Sequence, residues 1–230
     1  MTPTHEPRIA RVAAMIADPA RSRMLCRLLS GEQATAGELA RAATVTPATA
    51  SGHLSGLLDA GLVSAEARGR HRYYRLADAE VAHALEALAL VAERGDQARG
   101  WASPRRQALR HARCCYGHLA GTLGVRLMQA LLGVQGLRPD GPGLALTAAG
   151  RAWLATLDFA VPAPLPRRRY AYACMDWSER QDHLAGQLAD ALLAHLLGQG
   201  WLRRDEGRAL TVTPRGAQQL LPRLGPPPAR

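Results

Sequence analysis

The stretch "RCCYGHLAG" (residues 113–121) sets Cys114 and Cys115 side by side with His118 three positions on, and "HLAG" returns at 183–186 behind a further cysteine, Cys174. Thiolate sulfur and imidazole nitrogen together suit soft metal ions, and thiolates alone suit arsenite-like ions or electrophiles. On a helix Cys114 and His118, four apart, share one face. Cys174 precedes His183 by nine residues, and Cys115 has no counterpart in the second segment. Packed about a pseudo-twofold axis, the two segments would bring Cys114, His118, Cys174 and His183 toward one cleft, with Cys115 adjacent. Metal, metalloid or thiol sensing is one reading of that set. A pocket for a small organic molecule between the segments is another, and a purely structural extension is a third, because cysteine and the small residues of HLAG also fill tight helix contacts. The same residues taken as nucleophile and base would describe an enzyme. No glycine-rich phosphate loop, HExxH or GxSxG accompanies them, so no catalytic residue is expected.

The segments around these residues repeat. Leu119, Leu123, Leu127 and Leu131 form a ladder of spacing four, matched by Leu184, Leu188, Leu192 and Leu196 at an offset of 65. Each ladder leads to a turn-rich stretch, "GLRPDGPGLALT" and "GWLRRDEGRALTVT", then to "TAAGRAWLATL" and "TPRGAQQLLPRL". The expected unit is long helix, hairpin, short helix, in repeats of about 104–158 and 168–224. "FAVPAPLPRRR" (159–169) joins them as extended chain, and "GPPPAR" ends the chain as a tail.

The first hundred residues have a different rhythm. "RIARVAAMIAD" (8–18) places Ile9, Val12, Ala13 and Ile16 on one helical face. "DPARSRMLCRLLSG" (18–31) carries Asp18 as N-cap, Pro19 at the first position and Gly31 as stop, with Cys26 expected as a small buried apolar residue. "TAGELARAATV" (35–45) opens on a Thr35–Glu38 capping box, and "TPATASGHLSGLLDAG" (46–61) on Thr46 and Pro47. "LVSAEARGRHRYYRL" (62–76) alternates about an RGR tip and reads as a hairpin; "DAEVAHALEALALVAER" (78–94) returns to helix. Helices, a helix–turn–helix, a basic hairpin and a closing helix make a winged helix-turn-helix. The 46–61 helix would lie in the major groove with Thr46, Thr49, Ser51 and His53 near bases and phosphates, supported by Arg41. The hairpin tip offers Arg68, Arg70, His71 and Arg72 to the backbone or minor groove.

The three motifs "DPARSRMLCRLLSG", "TPATASGHLSGLLDAGLV" and "RGRHRYYRL" occur in the order and spacing of the ArsR-type (ArsR/SmtB) repressors, which residues 8–95 resemble. The resemblance implies a homodimer built on the first and last helices of this domain, double-stranded operator DNA as partner, repression relieved by an inducer, and no cofactor for DNA binding itself. The family's thiolate site before the recognition helix has no equivalent, since "ELARAATV" lacks cysteine and histidine. Its second site, on the last helix, would fall on Asp78, Glu80, His83 and Glu86, without the full spacing. A sensor is therefore expected in the extension.

The overall expectation is a mainly α protein with small β-hairpins: residues 1–97 a winged-helix DNA-binding and dimerisation domain, residues 98–230 a duplicated C-terminal domain. All 29 basic residues are arginine, and the formal net charge of +10 favours a polyanionic partner. Residues 101–230 hold 17 arginines against 8 acids, which also allows an architectural nucleic-acid protein. Four cysteines are too few for a disulfide scaffold in a chain of 230 residues, and no long apolar run or leader pattern is present. A cytoplasmic protein without membrane contact is expected.

Overall fold

Asp18 accepts the Arg21 amide at 2.8 Å and Pro19 occupies the first turn, so the second helix starts where the chain leaves the first. The structure, a computed structural model, describes residues 9–94 and 103–225. Its contacts divide it into two units, Met1–Ala82 and His83–Arg230. The expected boundary at 97/98 and most of the expected tail lie outside the described residues.

The first unit runs α1 (Ile9–Ala17), α2 (Pro19–Leu28), β1 (Ala34–Thr35), α3 (Ala36–Ala43), α4 (Pro47–Asp59), β2 (Val63–Arg68) and β3 (His71–Leu76). Thr35 and Glu38 form the reciprocal capping box at α3, and Thr44 in the left-handed region (φ 59°) ends it. Thr46 caps α4. The β2–β3 hairpin closes at Arg68 opposite His71, and β1 adds a third antiparallel strand through Ala34 opposite Tyr74. Met24, Leu25, Leu28, Leu39, Leu54, Leu57 and Leu76 are buried beneath it. This is the winged helix-turn-helix. One expectation needs correction. Cys26 is exposed, because Met24, Leu25 and Leu28 take the core face of α2. On α1, Ile9 is 69% exposed and no residue is buried within this chain.

Helix α5 (Ala79–Ala92) begins in the first unit and continues into the second. The second unit then runs α6 (Pro104–His111), β4 (Arg113–Cys115), β5 (His118–Ala120), α7 (Gly121–Gly133), β6 (Leu137–Asp140), β7 (Gly143–Leu146) and α8 (Ala148–Ala155). After a segment without helix or strand come β8 (Tyr172–Met175), β9 (Asp182–Ala185), α9 (Gln187–Gly198), β10 (Leu202–Arg204), β11 (Leu210–Val212), α10 (Pro214–Gln219) and a 3₁₀ turn at Leu221–Leu224. The order hairpin, long helix, hairpin, short helix thus occurs twice.

Here the expected helical ladders are one element too long. Leu119 and Leu184 lie in strands, and the helices begin only at Gly121 and Gln187. The glycine of each HLAG makes the junction: Gly121 has φ +79° and Gly186 φ +96°. A Cβ at these positions would stand 2.5 Å from the Arg110 carbonyl oxygen or 2.8 Å from that of Tyr170. Only glycine allows both the turn and the approach. The remaining ladder residues Leu123, Leu127, Leu131, Leu188, Leu192 and Leu196 join Trp201 and Leu210 in one apolar core. The hairpins cross between halves. Leu210 donates its amide to Ala112 O (2.9 Å) and Cys114 to Arg208 O (2.8 Å), while Leu144 donates to Ala171 O (2.9 Å). The linker is tied down by Gln187, whose side chain accepts from Leu165 N (2.8 Å) and donates to Ala163 O (2.7 Å). No helix among the described residues is long and apolar enough to cross a membrane.

Candidate metal centre

Tyr116 (φ 56°) and Gly117 (φ 148°) form a two-residue turn that folds Cys115 directly opposite His118. In the longer second hairpin Cys174 stands opposite His183. Residues directly opposed across antiparallel strands project from the same face, so each hairpin presents one thiol beside one imidazole. The two hairpins bring the four together: one ligand atom from each of Cys115, His118, Cys174 and His183 lies within 4.8 Å of all the others. A tetrahedral ion with metal–sulfur bonds of about 2.3 Å and metal–nitrogen bonds of about 2.0–2.1 Å needs ligand atoms roughly 3.3–3.8 Å apart. A small contraction closes the set. All four residues are buried.

The pairing reverses part of the sequence expectation. Cys115, not Cys114, is the counterpart of Cys174, since each lies in register with its histidine. Cys114 lies in register with Leu119, as Ala173 does with Leu184, and it packs into the apolar core. Burial pushes its thiol up to about 11. Four of the five candidate residues therefore meet, and Cys114 is packing.

The imidazoles carry the evidence of fit. Nδ1 of His183 lies 3.4 Å from Asp176 Oδ2, and Nδ1 of His118 lies 3.5 Å from Asp190 Oδ1. A carboxylate on that side favours a proton on Nδ1, so Nε2 is the nitrogen that faces a metal ion once the ring gives up its second proton. Nε2 of both rings, and Nδ1 of His183 as well, are buried with no hydrogen-bond partner among the described residues. Buried ring nitrogens without a partner beside two thiols are what a site awaiting a cation leaves behind.

Electrostatics favour the protonated forms of Cys115, His118 and His183. The Cys115 thiol is pushed up to about 12 by its hydrogen bond with Cys174, by burial and by the nearby Glu86 charge. Burial opposes the His183 imidazolium, but Asp176 and Cys115 outweigh it and carry the group up to about 9. His118 is also raised: burial opposes, while Cys115 and Asp190 prevail. For Asp176, burial is outweighed by His183 and Arg113, and the carboxyl is held well below the usual range.

Asp176 is the hub behind the centre, and the sequence reading missed it. It accepts from Gly121 N (2.6 Å), Ser178 N (2.9 Å), Ser178 Oγ (2.7 Å) and Glu179 N (3.1 Å). Arg113, fully buried over the Trp177 ring, reaches Asp176 at 2.9 Å and Glu86 at 4.0 Å. Glu86 sits on α5 and also pairs with Arg208. The acid just behind Cys174 in "CMDWSER" was the available signal. The residues that the family's last-helix site would use have other roles: Asp78 accepts the Val81 amide, His83 meets the Tyr172 hydroxyl at 2.8 Å, and Glu86 joins this ion network.

On the winged unit Arg41, Thr46, Thr49, Ser51, Arg68, Arg70, His71 and Arg72 are all exposed. Thr46 accepts the Thr49 amide, and Ser51 donates to Pro47 O. Arg70 donates to His71, Arg68 pairs with Glu66 at 2.8 Å, and Arg72 lies over the Tyr74 ring. His53 differs. It is half-buried with its ring nitrogens 3.4 Å from Arg21 and 3.9 Å from Asp18, turned back onto α2.

A family model described as a helix-turn-helix domain matches residues 16–64. A Bacillus subtilis (strain 168) protein described as the uncharacterized HTH-type transcriptional regulator YdfF is 39% identical over 212 residues, 91% of this chain and 94% of that protein. The chain belongs to the HTH-type transcriptional regulators. This regulator is also 42% identical over 86 residues to the HTH-type transcriptional regulator CmtR of Mycobacterium tuberculosis (strain ATCC 25618 / H37Rv), a match covering 37% of this chain and 72% of CmtR. Among solved structures, the homodimeric winged helix-turn-helix domain of Mb0332 from Mycobacterium bovis, a possible ArsR-family regulator, aligns at 29% identity with a TM-score of 0.35, covering 40% of this chain and 91% of that one. As an HTH-type transcriptional regulator, its activity is DNA binding in transcription rather than catalysis.

Proposed function

We propose that this regulator is a cytoplasmic homodimeric repressor that releases its operator when a soft divalent metal ion binds Cys115, His118, Cys174 and His183. Residues 1–97 form the DNA-binding and dimerisation part, needing no metal to bind DNA. Residues 98–230 form the sensor, a duplicated hairpin–helix–hairpin–helix whose halves cover about 104–158 and 168–224 and each give one cysteine and one histidine. The observation that carries the reading is the pair of buried, unpartnered Nε2 atoms beside two thiols, with a carboxylate behind each ring. Two thiolates and two imidazoles in a tetrahedral set suit zinc or cadmium better than the hard oxygen-loving cations. A small organic ligand between the halves is disfavoured, because the space among Leu119, Gly124, Leu127, Leu184 and Leu192 is only about 10 Å³, room for one water at most.

The route to DNA runs through α5. Binding at His183 draws on Asp176, Asp176 holds Arg113, and Arg113 shares Glu86 with Arg208. Glu86 is on the helix that continues from the winged unit. CmtR, known as a cadmium metal-sensor, supports metal sensing in such regulators, although its match leaves most of this chain uncovered. Titration with cadmium, followed by thiolate-to-metal absorption and by fluorescence anisotropy on the protein's own upstream DNA, tests the reading. One ion per chain should bind and release DNA in the wild type and in Cys114→Ala. Tight binding surviving Cys115→Ser and His183→Asn would refute it.

A further inference from the structure

A buried metal centre needs a door. Cys115, His118 and His183 are at most 3% exposed, while Cys174 is 7% exposed. Cys174 is also the one of the four that lines an open cleft of about 250 Å³, walled by Glu86 and Leu90 of α5 and by Arg169, Tyr172 and Met175 around β8. That volume lies just below the usual range of about 300–1,000 Å³ for small-molecule sites and is far larger than a bare ion requires. The Arg169 guanidinium lies 3.7 Å from the centroid of the Tyr172 ring on the cleft wall, and Met175 is 45% exposed. A hydrated dication cannot cross this partly apolar wall without shedding water at high cost in free energy. An ion already held by thiolates carries less charge and exchanges its ligands one at a time.

We propose that the cleft docks the metal ion as its complex with a low-molecular-weight, anionic thiol, and that Cys174 is the entry ligand. This rests on the metal centre proposed above. The bond between the carrier sulfur and the metal breaks as the Cys174 Sγ–metal bond forms. The Cys174 thiol proton passes to the departing carrier, which leaves as free thiol, and no oxidation state changes. Cys115, His118 and His183 then displace the remaining ligands behind it. Arg169 at the mouth attracts a carrier bearing carboxylates, and the apolar flank of Leu90 and Met175 receives its organic part.

The test is the rate of cadmium transfer from its glutathione complex to the full-length protein, read by stopped-flow absorption of the cadmium–thiolate bond. Met175→Trp should fill the cleft and slow transfer by about tenfold or more, within the one to three decades over which association rates vary among variants of one site. The final cadmium content should match the wild type. Arg169→Glu should slow transfer from glutathione by roughly tenfold, yet leave transfer from uncharged 2-mercaptoethanol unchanged, as electrostatic steering requires. Full loading of both variants at wild-type rates would overturn the docking cleft and leave the centre standing. A wild-type protein that takes no cadmium at equilibrium would overturn both.

Discussion

Replacing Asp176 by Asn should cost the second unit much of its stability without changing a single residue's size. Asp176 is fully buried and accepts four hydrogen bonds of 2.6–3.1 Å from the Gly121, Ser178 and Glu179 donors. It is also the near counter-charge of Arg113, at 2.9 Å against 4.0 Å for Glu86. An asparagine keeps one acceptor but turns an NH₂ toward donors and leaves a buried guanidinium short of charge. Removing one partner of such a pair costs about 3–5 kcal/mol. At roughly 2–4 °C per kcal/mol for a unit of this size, the melting point should fall by about 6–20 °C. The assay is selective, because all four tryptophans (Trp101, Trp153, Trp177 and Trp201) come after residue 82 in the chain, where the first unit ends. Urea unfolding followed by tryptophan fluorescence therefore reports that unit alone. Arg113→Met combined with Asp176→Asn should cost less than the sum of the single changes, with a coupling of about 0.5–3 kcal/mol. A single-variant loss below about 1 kcal/mol, the worth of an exposed pair, would show that the buried hub does not organise the unit.

Three further outcomes are expected. Glu86→Gln should bind cadmium within a few-fold of the wild type but release operator DNA poorly, measured by titration and anisotropy on one sample; normal release would sink the α5 route. Cadmium affinity should rise steeply with pH, since Cys115 must lose a proton held up to about 12 and His183 one held up to about 9. The metal-free protein should do the opposite: the raised His183 contributes stability fully below about pH 6.5 and loses it as pH climbs through 9, so melts at pH 6 and 9 should differ in that direction. Arg70→Ala with Arg72→Ala should weaken binding to every DNA sequence and flatten the salt dependence, whereas Thr49→Ala should mainly shift sequence preference; equal affinity for the arginine variant at moderate salt would refute the wing's role.

The winged helix was legible because its signals are local. Asp18, Thr35 and Thr46 cap helices within four residues of themselves, and the RGR tip sits between two alternating runs. The centre was legible in type but not in geometry. A cysteine and a histidine three or four apart fit a helix as readily as a two-residue turn, and only the positive φ of Tyr116 and Gly117 decides between them. That choice moved the ligand from Cys114 to Cys115. Asp190 was out of reach for another reason: it lies in α9 and serves His118, 72 residues earlier in the chain. Such a pairing depends on how the halves cross, which no short-range pattern records. The strand β1 was missed because two residues have no period to read.

The crossing of the hairpins also sets an order of events. Strand β4 is held by Arg208 and Ala209, so the partner of Cys114's amide is made 94 residues after Cys114 itself. A ribosome delivers the winged unit about a hundred residues before the second half of the sensor exists. On the proposed function, each new molecule is thus complete as a DNA-binding chain before it is complete as a metal receptor. A message truncated before Arg208 would lose β4's support, and under the proposed function its product would be a regulator deaf to its signal rather than one unable to hold DNA.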